Sequence, residues 1–445
     1  MKFLNLASIF LLLNLTFPLL SSELTEEEKF LQNLNSDSGK NESIRNLKLK
    51  KMNAHLPLLS SILRNKNTSK DTIIEIINLY ESYGNELEEY HPGAIEDYEW
   101  VVNNLRDEFL VSQIVNIFRI RKDKRLIYPV ISLITHRNLD VRLAAFNYLE
   151  TFKDDRALPY ILELGNSEVS INRYYYLEAL NYISDERATI HVLKLLNDPS
   201  PALRMEAIAV VDKLNLKDKQ QLVLKMARKD NNYEVRKSAT VFARNSNQRF
   251  RTDIFQGGID DDHPEVRKEA LKSIITFKDA RYASNVSKMM EKESESQLRS
   301  LAIDALIAMN NHGGGGGLSV ALLNDSDSQV RKKSAFAAAK LSAKTVLPSL
   351  LTSLEKEPTV YVRLEVTKSL GILKEKKAVP GFLKILSSPQ EDRNLRTEVL
   401  ASLDQINDPS VMPVVFDLID EEQSEFKNEM KSFLRDMLYK FHGKK

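Results

Sequence analysis

Cysteine is absent from the chain's 445 residues. Its absence excludes disulfide bonds, thiolate metal sites, a cysteine nucleophile and lipid attachment through an N-terminal cysteine. Glycine and proline are scarce, with 14 residues of each, and aromatic residues make up 8%. With 42% hydrophobic residues, this composition is typical of a packed, mainly helical protein.

An excess of charge of either sign is also lacking. The chain has 63 lysines and arginines against 62 acids, so its net charge is +1. A nucleic-acid-binding protein carries a strong basic field. We therefore expect no nucleic-acid partner.

Only the N-terminus, "MKFLNLASIFLLLNLTFPLLSSE", contains a long apolar run. Lys2 precedes about 18 mainly apolar residues, and Ser21 and Ser22 follow them, which is the layout of a secretory signal peptide. An uncleaved membrane anchor is the alternative, but Asn14 and Pro18 weaken it. We predict that residues 1–22 are removed, that no integral membrane span remains, and that the protein is exported to the periplasm, the cell surface or the medium.

A repeat of 31 to 33 residues fills most of the chain. Nine segments align on an arginine and a tenth on Lys427. The aligned arginines are Arg142, Arg173, Arg204, Arg236, Arg267, Arg299, Arg331, Arg363 and Arg396.

Each repeat predicts two amphipathic helices, and the arginine lies near the start of the second. Positions three, seven and ten beyond it are mostly small or apolar, as in Ala270, Ile274 and Phe277, so they share one helical face. The first helix often has a proline near its start, where the missing N–H is tolerated. Such a short repeat cannot bury its apolar faces alone, so neighbouring repeats must stack.

The period, the "VR" opening of the second helix and the linker "DDRALP" resemble HEAT repeats of the bacterial HEAT-like subtype shared with phycobiliprotein lyases. The resemblance covers about Lys122 to Phe441. It implies an all-α fold, a right-handed α-α superhelix or HEAT-like solenoid. We accordingly divide the chain into the signal peptide, a less regular helical N-terminal region or cap at 23–120, and an array of about ten repeats at 121–445.

An acid stands six residues before the aligned position in seven of the ten repeats. We predict that each acid accepts charge-assisted hydrogen bonds from the arginine of its own or a neighbouring repeat, forming a structural ladder, as in HEAT families. The acids are Asp198, Asp230, Asp261, Glu293, Asp325, Glu357 and Glu421.

Five consecutive glycines interrupt the array without changing its period. A phosphate-binding loop is excluded, since no Lys-Ser/Thr pair follows them. Each helical glycine costs about 1 kcal/mol relative to alanine. We therefore expect an unwound segment, a first helix beginning near Leu318, and a flexible hinge. The glycines are Gly313, Gly314, Gly315, Gly316 and Gly317.

No catalytic motif is present. None of the seven histidines is followed by glutamate, so the paired His-Glu motifs of HEAT-like di-iron hydroxylases are missing. His-Glu-x-x-His and Gly-x-Ser-x-Gly are absent too. We predict a protein that is not an enzyme and has no metal and no cofactor.

The resemblance implies that the second helices line a concave face, where positions one, five and eight beyond the arginine point outward. In the first three repeats these positions carry three acids and no base, with Tyr174 as a candidate anchor residue. From the Arg236 repeat to the Arg363 repeat they carry six bases against Asp304, a net charge of +5. The bases are Lys237, Arg244, Lys268, Lys272, Lys332 and Lys368.

We therefore predict an exported, non-catalytic scaffold that binds an acidic segment of another protein on this face. The alternative at the residue level is that the lysines only solubilise the face. The alternatives at the level of function are a structural envelope component that assembles with itself and, less strongly indicated, a lyase-like or chaperone-like activity. The sequence leaves the oligomeric state open.

Overall fold

Helix follows helix in the computed structural model, which describes residues 41, 44, 56–65, 67–87, 94–104, 107–247 and 252–443. No strand occurs in these residues, and the all-α prediction is confirmed. None of their helices is both long and apolar enough to cross a membrane. The predicted signal peptide lies outside the described residues.

The chain divides into two compact units, Met1–Tyr160 and Ile161–Lys445. Inside the first, the buried carboxylate of Asp97 accepts hydrogen bonds from Ser60, Arg64 and Tyr80 at 2.6 to 2.7 Å. The predicted division of the chain at residues 22 and 120 stays a prediction. The helices of the first unit are α1 (Leu56–Leu63), α2 (Lys70–Leu87), α3 (Ala94–Asn104), α4 (Glu108–Ile120), α5 (Ile127–Ser132) and α6 (Leu139–Phe152).

The second unit continues the pattern of paired helices. Its helices are α7 (Leu158–Asn166, which begins in the first unit), α8 (Ser170–Leu180), α9 (Val192–Leu195), α10 (Pro201–Lys213), α11 (Lys217–Lys229), α12 (Tyr233–Asn245), α13 (Thr252–Ile259), α14 (Pro264–Phe277), α15 (Ala283–Lys292), α16 (Ser296–Met309), α17 (Gly315–Asn324), α18 (Ser328–Lys340), α19 (Leu347–Lys356), α20 (Val360–Ile372), α21 (Val379–Leu386), α22 (Arg393–Ile406), α23 (Val411–Glu421) and α24 (Phe426–His442).

These helices form two layers. From α11 onward, the first helix of each repeat packs on the first helix of the next, the second helix packs on the next second helix, and the two helices of a repeat pack on each other. The core lies between the layers, where Val266, Ala270 and Ile274 of α14 are fully buried. The second unit is therefore an α-solenoid.

In most repeats a residue with left-handed backbone follows the second helix within two residues, eleven residues after the aligned arginine. Lys122 follows α4 in the same way, although the aligned position there is Val111. The periodic geometry therefore begins one repeat before the first arginine, which an alignment on arginine could not detect. The other left-handed residues are Lys153, Asn215, Asn247, Lys278, Asn310, Ser342, Lys374 and Asn407.

The expectation of an unwound glycine segment is wrong. Residues His312–Gly314 form a 3-10 turn, and α17 begins at Gly315 instead of near Leu318. Gly317 is buried, and its N–H donates to Ser287 Oγ at 2.8 Å. A Cβ at Gly317 would lie 2.5 Å from that oxygen. Gly317 therefore lets α17 approach α15 closely, and the hinge hypothesis loses the unwound backbone on which it depended.

Candidate functional site

Charged side chains join consecutive repeats along one edge of the solenoid. Arg299 Nε donates to the Asp325 carboxylate of the next repeat at 2.6 Å, while Arg299 Nη1 donates to the carbonyls of Glu293 and Ser294 in its own turn. Arg142 likewise donates to two carbonyls of its own turn. Equivalent ion pairs of 2.6 to 2.9 Å are Arg173–Asp198, Arg204–Asp230, Arg236–Asp261, Arg267–Glu293 and Arg331–Glu357.

The last two pairs of this ladder use acids that the sequence analysis did not choose. Arg396 bonds Glu422 at 2.5 Å, so the assignment of Glu421 is wrong by one residue. Arg363 pairs with Glu391 at 2.9 Å. Glu391 and Glu422 both lie five residues before the aligned position, and a column fixed at six residues misses them.

The carboxylates of the ladder acids are already engaged in hydrogen bonds with their partners. Burial alone would raise the pKa of Glu422, but hydrogen bonds from Arg396 and Ser424 lower it to about 2. Burial also acts to raise the pKa values of Glu293 and Glu357, but hydrogen bonds from their arginines and from backbone N–H groups, together with the charge of the arginine, outweigh it and lower both values. Groups held this firmly serve the framework and offer little to a ligand.

The second-helix face, meaning the side of the second helices that points away from the first helices, carries the predicted binding residues. Four of them meet two glutamates of α14. The carboxylate oxygens of Glu265 lie 3.8 Å from Lys237 Nζ and 3.2 Å from Lys268 Nζ. Glu269 lies 2.8 Å from Arg244 and 2.7 Å from Lys272. We call these six residues the basic cluster.

The basic cluster is less basic than three columns of a helical wheel indicate. Its four cations and two carboxylates leave a net charge of +2. Glu265 and Glu269 did not emerge from the sequence because they lie two residues before and two residues after Arg267, outside the three aligned positions. Including the neighbouring wheel positions would have found them.

The other two predicted lysines lie outside the cluster. Lys332 is on α18 and Lys368 is on α20. Neither forms an ion pair with any residue that the structure describes. The opposing acid, Asp304, is bound by Lys333 at 2.6 Å. The predicted net charge of +5 is therefore not one continuous patch.

The acidic end of the face also differs from the wheel. Glu178 of α8, which the wheel placed outward, is buried, so that placement is wrong. Burial and the charge of Glu178 together raise the pKa of Glu206. Tyr174 is half-buried, with its ring edge-on to Tyr175 at 6.0 Å. Close packing of α8 against α10 explains the burial.

Two further features of this face were missed. Phe336 on α18 is 46% exposed, and only its position five beyond Arg331 could have indicated it. A cavity of about 830 Å³ lies between α22 and α24, with the small residues Ala401 and Ser432 at the corresponding positions of its walls. Its rim charges pair internally, since Lys440 bonds Asp404 and Arg435 bonds Asp436.

Within the described part of the chain, no three acidic or histidine side chains are grouped so that they could hold a metal ion. The predictions of no metal, no cofactor and no enzymatic activity stay predictions.

Comparisons with known proteins agree with this geometry. The family model for HEAT repeats matches residues 166–243 and 317–401, so these two segments of the second unit are similar to HEAT repeats and the predicted resemblance is supported. The chain's assignment to the bacterial subtype shared with lyases stays a prediction. No curated protein sequence matches the chain significantly.

Solved structures show the same fold. The karyopherin Kap121p bound to the extreme C-terminus of the protein phosphatase Cdc14p is similar, with a TM-score of 0.51 and 13% identity over 93% of this chain. Importin beta in a polyethylene glycol condition has a TM-score of 0.51 and 12% identity over 86%. The chain spans 53% and 65% of these two proteins. The predicted solenoid class is confirmed.

Proposed function

We propose that this protein is an exported, non-catalytic scaffold that binds a partner protein on its second-helix face. The observation that supports this most is that the charged residues of the ladder and the exposed residues of the second-helix face are separate sets. The ladder holds successive repeats in register. Phe336 and Lys332, on the second-helix face, take no part in the ladder and can contact a partner. Kap121p, a protein of similar fold, binds the C-terminus of another protein.

An acidic segment of the partner is the occupant that the charges favour. The basic cluster keeps a net positive charge, and Lys332 adds another cation without an ion pair in the described residues. Complementary charge accelerates association and selects partners more than it adds affinity. The segment would lie across the middle repeats, where Lys268, Lys272 and Lys332 are found.

Site-specific photocrosslinking tests the face directly. A photoreactive amino acid replaces Ala209 or Lys332 on the second-helix face, or Lys225 or Glu355 on the first helices. We expect a discrete crosslinked partner from the first pair of positions in the native envelope fraction. The first-helix positions are the matched control, and equal crosslinking from both layers would contradict the proposal.

Export is proposed from the layout of residues 1–22. If they are removed, N-terminal sequencing of the protein purified from its native source begins near Glu23. A protein beginning at Met1 in the cytoplasmic fraction would refute export without affecting the binding proposal.

A further inference from the structure

The basic cluster has an unusual stoichiometry, because each of its carboxylates is shared by two cations. Glu265 lies between Lys237 and Lys268, and Glu269 between Arg244 and Lys272. Each group of three therefore keeps one positive charge. The cluster consists of two such groups side by side along α14.

The residues of each group differ in how firmly they are held. The side chain of Glu269 is 10% exposed and that of Arg244 is 21% exposed, whereas Lys268 and Lys272 are 41% and 45% exposed. Exposed ion pairs contribute little stability. Each of the two lysines can therefore bind an added carboxylate at small cost, while Glu269 and Arg244 keep their positions.

The two groups are spaced for an extended peptide. Lys268 and Lys272 are four residues apart on one helix, which places them roughly 6 Å apart along its axis. Alternate residues of an extended chain point to the same side and are also roughly 6.5 Å apart. Adjacent residues of an extended chain point to opposite sides, so two neighbouring carboxylates cannot both reach the pair.

We propose that the basic cluster binds an extended acidic segment of a partner protein in which carboxylates occupy alternate positions. The segment runs along α14. One carboxylate joins Lys268 beside Glu265, and the second joins Lys272 beside Glu269. This inference rests on the proposed function and specifies its partner.

The test uses two synthetic peptides of identical composition, both carrying a rhodamine label. One contains Glu-Ser-Glu and the other Glu-Glu-Ser, each between glycines. Their binding to the full chain is measured by fluorescence anisotropy at low salt. Since one exposed charge pair changes affinity by roughly two- to fivefold, we expect the alternating peptide to bind about two- to fivefold more tightly.

Variants then locate the site. Replacing both lysines, Lys268→Gln and Lys272→Gln, should remove the difference between the peptides, while Glu265→Gln should strengthen binding of the alternating peptide. Lys225 and Lys229 have the same four-residue spacing on α11 in the first-helix layer. The double variant Lys225→Gln and Lys229→Gln is therefore the matched control and should change nothing. Circular dichroism checks that every variant keeps its helicity.

Each alternative result overturns the proposal. These results are equal binding of the two peptides, no binding of either, unchanged binding by the Lys268/Lys272 variant, or tighter binding of an oligothymidylate of equal charge. The last would indicate a general polyanion site. Crosslinking from the second-helix face that persists after such a result would leave the scaffold function intact and place recognition elsewhere on that face.

Discussion

Neighbouring glycines of α17 have opposite roles at the residue scale. Gly316 is exposed, and a Cβ there would meet no atom within 4 Å. Gly317 is buried, and a Cβ there would lie 2.5 Å from Ser287 Oγ and 2.9 Å from the Ser287 carbonyl oxygen. The first therefore costs helix stability without a packing benefit, whereas the second permits the approach of α15.

Alanine substitutions separate these roles. Gly316→Ala should stabilise the protein by about 0.5–1 kcal/mol, because alanine loses less conformational entropy in a helix. Gly317→Ala should destabilise it by about 1–3 kcal/mol through overpacking against a rigid backbone. Urea denaturation measures both, and a Gly317→Ala protein as stable as Gly316→Ala would contradict the packing role.

Glu398 has an environment that disfavours its negative charge. Burial raises its pKa and so does the charge of Glu365, while Lys368 acts in the opposite direction. A carboxyl group whose pKa is raised by folding destabilises the fold where it is ionised. Glu398→Gln should therefore raise Tm at pH 7, and the difference from the wild type should shrink as the pH falls towards 4.5, the ordinary value for glutamate, and be small below it. A constant difference at both pH values would refute this account.

Helices are joined by paired charges at the scale of elements. In the Arg299–Asp325 pair the side chains are 12% and 3% exposed, so removing one partner leaves the other charged in a poorly solvated site. The ladder therefore fixes the relative positions of consecutive second helices more than it adds net stability.

Arg299→Met should cost about 3–5 kcal/mol, because it leaves the Asp325 carboxylate buried without its cation. The double variant with Asp325→Asn should recover a large part of that loss. Arg435→Gln, which removes the exposed pair with Asp436, is the control and should cost less than about 1 kcal/mol. Equal stability of the single and double Arg299 variants would show that the buried charge is not the cause.

The close packing of α17 should also protect the glycine segment from proteolysis. A flexible hinge would be the preferred cleavage site, because proteases cut exposed, mobile backbone. The helical segment observed here should instead resist subtilisin between residues 312 and 318 at least as well as the turn at 197–201. Mass spectrometry of the first fragments decides this, and early cleavage at the glycines would restore the hinge hypothesis.

The whole molecule responds to pH through many carboxylates acting together. Folding lowers the pKa values of Glu269, Glu293 and Glu357, and lowers that of Glu422 to about 2. A carboxyl group with a lowered pKa contributes stability that is complete above its ordinary value, 4.5 for glutamate, and is lost as pH falls through its folded value.

We therefore expect Tm to change little from pH 8 to pH 5.5 and to fall progressively from about pH 4.5 towards pH 2. Glu206 and Glu398, whose pKa values are raised, oppose this trend only weakly because they are fewer. Thermal melts by circular dichroism across this range provide the measurement. A Tm that rises below pH 4.5 would mean that the raised carboxyls dominate.

The sequence by itself determined the period, the two-helix repeat, the all-α class and most residues of the ladder. These features are repeated, and each depends on spacing within one repeat or between adjacent repeats, so an alignment of the chain with itself reveals them. The alignment failed where a repeat has no arginine at the aligned position, as at Val111, or where the spacing shifted by one residue, as at Glu422.

Only the tertiary structure decided what the second-helix face presents. Whether Lys268 faces solvent or Glu265, whether Glu178 is buried, and whether Gly317 unwinds or packs depend on the distance between neighbouring helices. That distance is set by residues far apart in the sequence, such as the Ser287 side chain against the backbone of Gly317. A helical wheel describes one helix at a time, and therefore cannot contain the neighbour that neutralises, buries or supports each residue.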